Sequence, residues 1–226
     1  MPDAPYHHGH LRDALLDAAL RLEPEHGPLG FSLREVAKLA GVTHAAVYHH
    51  FADKQALVLG VAQRGFAQLL RELDVALDHA PDAFFALVQL GPAYLRFAFD
   101  SPSLFRFMYV SLPAHDDPLS AEHDAVVARF RRAVEWSQRG ALIKSGPSDR
   151  PAAQFWGLAH GIAALTVSGA LDGAPAGRSD RKSAAQRQRR ALDLLRASMV
   201  GLMFGMRASD SAWHPGPPGT NGPKDN

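Results

Sequence analysis

Hydrogen-bonding side chains and one exposed methyl group are concentrated in a short segment near the N-terminus. Thr43, His44, Tyr48 and His49 carry hydroxyl or imidazole groups, and Ala45 between them carries only a methyl group. Hydroxyls and imidazoles can bond to base edges or phosphate oxygens, and a methyl group can contact the methyl of thymine. If one helix carries these residues, its first turns suit the major groove of a nucleic-acid duplex.

The flanking residues predict two short helices joined by a tight turn. Ser32 is a good N-cap for the first helix, Gly41 can adopt the left-handed backbone that ends it, and Thr43 can cap the second. Ala37, Gly41 and Val47 supply a small residue where helices approach, a turn glycine and an inward anchor. Together they predict a helix-turn-helix, whose second helix enters the major groove. The apolar side of the first helix is predicted to be Leu33, Val36, Ala37 and Leu39. Short helices joined at glycine also occur in helical proteins that do not bind DNA.

A longer helix is predicted to follow, over about 54–79, with Asp53 as its N-cap. Lys54 stands at its first position, where a lysine charge and free backbone N–H groups together favour a phosphate. The same helix continues into the larger part of the chain. A shift of this helix would therefore move Tyr48 and Lys54.

The N-terminal quarter of the chain resembles the TetR family of transcriptional regulators. Residues 6–20 are similar to the family's first helix, residues 30–37 to the entry to its second, and residues 47–57 to its third helix and the start of its fourth. The resemblance implies an N-terminal DNA-binding domain and a larger helical domain for ligand sensing and dimerisation. It also implies repression that a small molecule releases, although the sequence leaves open whether ligand weakens or strengthens DNA binding.

The motif and the resemblance together select a set of candidate DNA contacts. They are Arg12, Ser32, Thr43, His44, Ala45, Tyr48, His49 and Lys54. His7, His8 and His10 could suggest a metal site, but no cysteine or carboxylate joins them at ligand spacing. We expect neither a metal nor another cofactor.

Composition narrows the class of protein without identifying it. The 226 residues include 46% hydrophobic residues and no cysteine, so a disulfide framework and a thiol nucleophile are excluded. The N-terminus lacks the pattern of a signal peptide, and no apolar run is long enough to span a bilayer, so we expect a cytoplasmic protein without membrane contact. The net charge of +1 does not by itself favour nucleic acid.

Beyond Phe51 the apolar residues recur at three- and four-residue spacing, with proline and glycine between the segments. This pattern predicts helices over about 54–79, 82–100, 102–111, 118–142, 150–171 and 184–208. The predicted fold is therefore all-α, with about nine helices. We expect a DNA-binding domain over 1–53, a ligand-sensing and dimerisation domain over 54–208, and a disordered tail over 209–226, which is rich in proline and glycine.

Aromatic residues are frequent in the larger predicted domain, and most of them should simply form its core. Trp156 and His160 are four residues apart, which places them on one helical face. They also resemble the Trp-x3-His-Gly signature of one TetR C-terminal subgroup. The candidate effector-lining residues are Tyr94, Met108, Tyr109, Trp136, Trp156 and His160. A buried His160 with a purely structural hydrogen bond is the alternative interpretation.

The last two long helices have the composition of a self-association surface. Glycine and alanine recur among apolar residues in both, which would let helix backbones approach closely in a homodimer. The small residues are Gly157, Gly161, Ala164, Gly169 and Ala170 on one helix and Ala197, Gly201 and Gly205 on the other. A two-fold dimer fits an operator built as an inverted repeat.

The sequence thus predicts a sequence-specific DNA-binding regulator, and its expected partners are operator DNA, a small-molecule effector and a second copy of the chain. One alternative is a helix-turn-helix protein that binds DNA constitutively, with a filled core in place of a cavity. A more distant alternative is a helical hydrolase that uses His160 with Ser168 or Asp172. The chain contains no nucleophile elbow, phosphate loop or His-Glu-x-x-His motif, so we do not expect an enzyme.

Overall fold

The computed structural model describes residues 8–110, 118–172 and 181–207, except for the side chains of residues 8–10, 172 and 181–183. These ranges contain nine α-helices, one short 3-10 helix at Ala170–Asp172 and no strand. The helices are α1 His8–His26, α2 Leu33–Ala40, α3 His44–Tyr48, α4 Lys54–Asp78, α5 Ala83–Asp100, α6 Pro102–Met108, α7 Ser120–Arg139, α8 Asp149–Val167 and α9 Arg181–Gly205.

The prediction of an all-α fold with about nine helices is confirmed. Most predicted helix ends lie within about three residues of the observed ones, because proline, glycine and capping residues mark them. The predicted tail over 209–226 and the histidine side chains at 7, 8 and 10 lie outside the described residues. None of the described helices is both long enough and apolar enough to span a bilayer.

Local capping shapes the two helices of the predicted motif. The Ser32 hydroxyl accepts a hydrogen bond from the Glu35 N–H, and the Ser32 N–H donates to the Glu35 carboxylate at 2.7 Å, which forms a capping box. Gly41 ends α2 with φ of 71°, in the left-handed region that costs glycine little. The Thr43 hydroxyl then accepts from the Ala46 N–H and starts α3. Leu39 was expected on the apolar side of α2 but is 42% exposed, because it lies away from the face that packs on α1.

The central element is α4, which packs against α1 at its beginning and against α5, α6 and α7 along its length. Its buried face includes Leu57, Val61, Phe66, Leu69 and Leu73, each of them fully buried. The core that these residues join runs from α1 to α9 without a break among the described residues. A displacement of α4 therefore has to be accommodated in both halves of the molecule.

Ion pairs hold α4 near its middle and near its end. Arg64 in α4 donates to Asp17 in α1 at 2.6 Å, and Arg129 in α7 forms two hydrogen bonds to Asp74 near the end of α4. The Asp74 pair is bidentate, which fixes its geometry more firmly than a single contact would. The side chains of both pairs are at least a quarter exposed, so each pair contributes only modestly to stability.

A different ion pair joins α1 directly to α6, and its carboxylate is buried although the Arg106 side chain is 37% exposed. The Glu23 side chain is 2% exposed, and both of its carboxylate oxygens accept hydrogen bonds from Arg106, one of them at 2.7 Å from Nη2. Nearby, the rings of Phe31 and Phe107 lie 6.2 Å apart. The pair matters because a carboxylate that is buried this far is costly without its partner.

We predict that Arg106→Ala destabilises the protein by about 2 kcal/mol, because the variant removes the partner of the buried Glu23 carboxylate, and because the partial exposure of Arg106 lowers the cost below that of a fully buried pair. Urea unfolding followed by circular dichroism measures the difference in the free energy of unfolding. Arg64→Ala is the matched control, since its pair with Asp17 is exposed and should cost less than about 1 kcal/mol. Equal losses in the two variants would contradict the assigned role of the buried pair.

Candidate functional site

One face of α3 is open to solvent and carries most of the candidate DNA contacts. Thr43, Ala45, Tyr48 and His49 are exposed, and the Tyr48 side chain is 50% exposed although it is a large aromatic residue. The opposite face is anchored by Val47, which is fully buried. This division presents the residues predicted to meet a duplex while α3 is held on the core.

His44 packs against the Tyr48 ring beside this surface. Its ring lies edge-on to the Tyr48 ring, with 5.0 Å between the ring centroids. The two residues are four positions apart, so they share a helical face. The contact limits the directions in which the Tyr48 hydroxyl can point, and His44 itself is only half-buried.

Three other candidate DNA contacts have structural partners within the chain. The Arg12 guanidinium lies 5.3 Å from the centre of the Phe51 ring. The Lys54 ammonium donates to the Leu29 carbonyl and lies 5.4 Å from the Phe31 ring centre. The Ser32 hydroxyl, as described above, belongs to the capping box of α2. Arg12 is exposed and Lys54 half-buried, and both stand at the ends of helices that flank α3.

A second group of candidate residues meets inside the larger helical part of the chain. The Tyr94 hydroxyl in α5 lies 2.5 Å from the Tyr109 hydroxyl and 3.0 Å from His160 Nδ1 in α8. The Tyr109 and His160 rings are also in contact, with centroids 4.3 Å apart. Three residues that are far apart in the sequence thus form one connected polar group.

Aromatic rings surround this polar group. Trp156 packs on His160 with ring centroids 6.0 Å apart, and Phe105 lies 5.7 Å from His160 and 5.1 Å from Tyr109. We call Tyr94, Phe105, Tyr109, His123, Trp156 and His160 the aromatic cluster. Apart from the tyrosine hydroxyls, imidazoles and the indole N–H, its side chains are apolar.

Burial favours the neutral forms of three groups in the aromatic cluster, Tyr94, Tyr109 and His160. Burial raises the pKa of Tyr109 to about 12 and raises the pKa of Tyr94 well above its ordinary value. Burial, with a smaller contribution from nearby His123, lowers the pKa of His160. A neutral site of this kind suits an uncharged ligand better than an ionic one.

The Trp156 indole N–H is the cluster's incompletely satisfied donor. Its nitrogen is buried and forms no hydrogen bond of good geometry within the described part of the chain. It nevertheless lies near enough to the two tyrosine hydroxyls to favour their charged forms slightly. A buried donor without a well-placed acceptor is unusual, so it marks a position where a ligand acceptor would be stabilised.

Two of the predicted effector-lining residues lie apart from this group. The Met108 side chain faces α4, where a Cβ added at Gly65 would lie 2.7 Å from the Met108 sulfur, so a larger residue there would require Met108 to move. Trp136 is half-buried in α7 and makes no ring contact with the aromatic cluster among the described residues. Helical spacing could select aromatic positions, but it could not say which helix each side chain would face.

Sequence reasoning did not single out His123, whose ring stacks on Tyr109 at 5.6 Å with an angle of 27° between the planes. It also meets Phe66 of α4 edge-on at 5.0 Å. His123 lies in the first turn of α7 without a flanking motif, so nothing local distinguishes it from a solvent-facing histidine. Only the packing of α7 beside α4 reveals its position.

The hydrolase alternative finds no support in these contacts. The Ser168 hydroxyl donates to the Leu165 carbonyl at 3.1 Å, whereas His160 Nδ1 is bonded to Tyr94. The Asp172 side chain lies outside the described residues. Within the ranges the structure describes, no group of three or more His, Asp or Glu side chains could hold a metal ion.

Small and apolar residues form an exposed strip on α8 and α9. Gly157 and Gly161 in α8, and Gly201 and Gly205 in α9, all face open space where an added side chain would meet nothing within 4 Å. Beside them Leu165, Leu194 and Phe204 are 47%, 45% and 53% exposed. We call these seven residues the α8–α9 face.

Comparison with known proteins identifies the same two regions. Residues 15–61 match the model of bacterial regulatory proteins of the TetR family, and residues 87–192 match that of the tetracyclin repressor-like C-terminal domain. The HTH-type transcriptional regulator BetI of Agrobacterium fabrum is 28% identical over 169 residues, which cover 74% of this chain and 80% of that protein.

Solved structures share the overall fold. A protein with unknown function from Rhodococcus sp. RHA1 is 32% identical, with a TM-score of 0.72 and coverage of 90% of this chain and 99% of that one. The TetR family transcriptional regulator PfmR from Thermus thermophilus is 18% identical, with a TM-score of 0.64 and coverage of 88% and 98%. The likeness to PfmR concerns the fold alone.

Proposed function

This chain belongs to the TetR family and is a DNA-binding transcriptional regulator, and we propose that it is a repressor that a small molecule releases from its operator. The observation that carries the proposal is the exposed face of α3, with Val47 anchored in the core and Tyr48 half exposed. We assign DNA binding to residues 1–53 and ligand sensing with dimerisation to residues 54–208.

We assign the base contacts to the first turns of α3 and the phosphate contacts to its surroundings. Thr43, His44 and Ala45 begin the helix and are the residues that a recognition helix presents to base edges. Tyr48 and His49 stand at its end, where hydroxyl and imidazole groups can reach phosphate oxygens. Arg12, Ser32 and Lys54 flank this surface, and Lys54 would have to leave the Leu29 carbonyl to reach DNA.

Selection of bound duplexes from a random pool, at fixed salt and pH, tests these assignments. We expect an inverted repeat with half-site centres about 34–36 Å apart, or a multiple of that spacing. Tyr48→Phe should weaken binding to all sequences by about 0.5–1.5 kcal/mol, because it removes one phosphate hydrogen bond. His44→Ala should instead change the preferred base at one position in each half-site.

Tyr109→Phe is the matched control for Tyr48→Phe, since it removes the same hydroxyl far from α3. It should leave the DNA affinity of the ligand-free protein unchanged. If no sequence is enriched by the wild-type protein, the proposed role of α3 is wrong. If both α3 variants bind like the wild type, the residue assignments are wrong.

TetR regulators act as dimers, and we propose that the α8–α9 face is the dimer interface of this chain. The glycines allow the backbones of two copies to approach closely, and Leu165, Leu194 and Phe204 supply apolar area that a partner would bury. Isologous pairing through this face would place two α3 helices in one symmetric molecule.

Sedimentation equilibrium should give about twice the chain mass of 24.4 kDa for the wild-type protein. Phe204→Asp should weaken the dimer by at least about tenfold, because it places a carboxylate in an apolar contact. Val75→Asp is the matched control, since Val75 is 58% exposed but lies on α4, away from the α8–α9 face. A dimer that tolerates Phe204→Asp as well as Val75→Asp would place the interface elsewhere.

We propose the aromatic cluster as the effector site. Its neutral hydroxyls, its imidazole and the buried Trp156 N–H favour an uncharged, largely aromatic molecule that carries a hydrogen-bond acceptor. Phe105 lies on α6, and Tyr109 follows directly after that helix. Because the adjacent Met108 packs on Gly65 of α4, ligand entry would displace α6 and through it α4.

A panel of neutral aromatic amides, esters and ketones, added to the protein on its selected operator, tests this site. At least one compound should release the DNA. Tyr109→Phe should lower the affinity of the protein for that compound by about two- to tenfold, because one hydrogen bond is lost. Tyr48→Phe should leave ligand affinity unchanged. Operator affinity that no compound alters would favour the alternative of a constitutive DNA-binding protein.

A further inference from the structure

A second possible ligand site lies outside the aromatic cluster, in a groove between α5 and α9. The groove encloses approximately 500 Å³, which falls within the range of small-molecule sites. Its apolar walls are formed by Phe84, Phe85, Val88, Pro92 and Val200. Phe85 is 41% exposed, and its ring meets Phe84 edge-on at 5.5 Å, so the apolar surface is open to solvent.

Two arginines border the same groove. Arg96 in α5 and Arg196 in α9 both line it, and neither forms an ion pair or side-chain hydrogen bond with any residue in the described ranges. Gln89 is the remaining polar side chain at the groove, and no described carboxylate lines it. Arginines elsewhere on the chain do find carboxylates, as Arg106 and Arg129 do. The groove therefore combines an apolar surface with uncompensated positive charge.

Arg196 of the groove and the centre of the proposed dimer face lie on different flanks of α9. At about 100° per residue, Arg196 is about 140° around the helix from Gly201, and about 160° from Leu194. Between these flanks, the buried side of α9 packs on α5, where Met199 lies against Gly91. Val200 of the groove is four residues from Phe204, so a partner docked on the α8–α9 face would border the groove at Val200, while Arg196 lies further around α9.

We propose that this groove binds an amphipathic carboxylate, in which an apolar chain lies along the phenylalanines and the carboxylate is held by Arg96 and Arg196. Guanidinium groups match carboxylates in charge and in planar hydrogen-bond geometry. An uncharged apolar molecule would leave both arginines without a partner, and a cation would be repelled. The groove is separate from the aromatic cluster, since none of the cluster residues lines it.

The probe is octanoate, titrated into the full-length protein and followed by saturation-transfer NMR. We expect saturable binding at a single site, and at least about tenfold weaker binding of octanamide, which has the same chain without the charge. The double variant R96Q/R196Q should lose at least about tenfold in affinity for octanoate. Val200→Trp, which fills the groove without changing charge, should weaken the binding of octanoate and of octanamide alike.

The matched control is R139Q/R189Q, which removes two exposed arginines outside the groove and changes net charge equally. It should bind octanoate within about twofold of the wild type. Octanoate binding that R96Q/R196Q leaves intact would overturn the proposal and place the ligand elsewhere, as in the aromatic cluster. Absence of octanoate binding to the wild-type protein, or equal affinity for octanamide, would also overturn it.

Discussion

The fold depends above all on the burial of one face of α4. Leu57 and Val61 at its beginning pack with α1, whereas Leu69 and Leu73 further along pack among α5, α6 and α7. Apolar burial is the main favourable contribution to folding, and here a single helix supplies it to both halves of the molecule. A displacement of α4 would alter its contacts with α1 and with α5, α6 and α7 together. In the proposed function, this shared core would couple DNA binding to ligand binding.

Ion pairs between helices fix the relative positions of the elements around that shared core. Arg64 and Asp74 connect α4 to α1 and α7 through exposed pairs, while Glu23 and Arg106 connect α1 to α6 through a pair whose carboxylate is buried. An exposed pair can break at little cost, but separating the buried pair would leave a carboxylate without compensation. Movement of α6 therefore cannot be independent of α1, which supports the helix-turn-helix.

The helix-turn-helix could be predicted almost residue by residue, because local interactions determine it. The capping box at Ser32, the left-handed Gly41 and the N-cap at Thr43 each depend on residues within three or four positions. The period of apolar residues likewise predicted most helix ends. The prediction that Leu39 belongs to the apolar side of α2 was wrong. In a short amphipathic helix, the neighbouring helix decides which positions are covered, and the sequence of α2 does not show this.

The aromatic cluster and the arginine groove show where sequence reasoning stops. Tyr94 and His160 are 66 positions apart, and the pattern of each helix indicates only that both are suitable for a semi-buried face. Their hydrogen bond, the stacking of His123 and the presence of Arg96 and Arg196 at one groove between α5 and α9 depend on how whole helices pack. The sequence by itself determined the helices, the DNA-reading motif and its family, because spacing and capping are local. The tertiary structure alone decided which distant side chains share a site, because packing of apolar faces sets the rotation and offset of each helix.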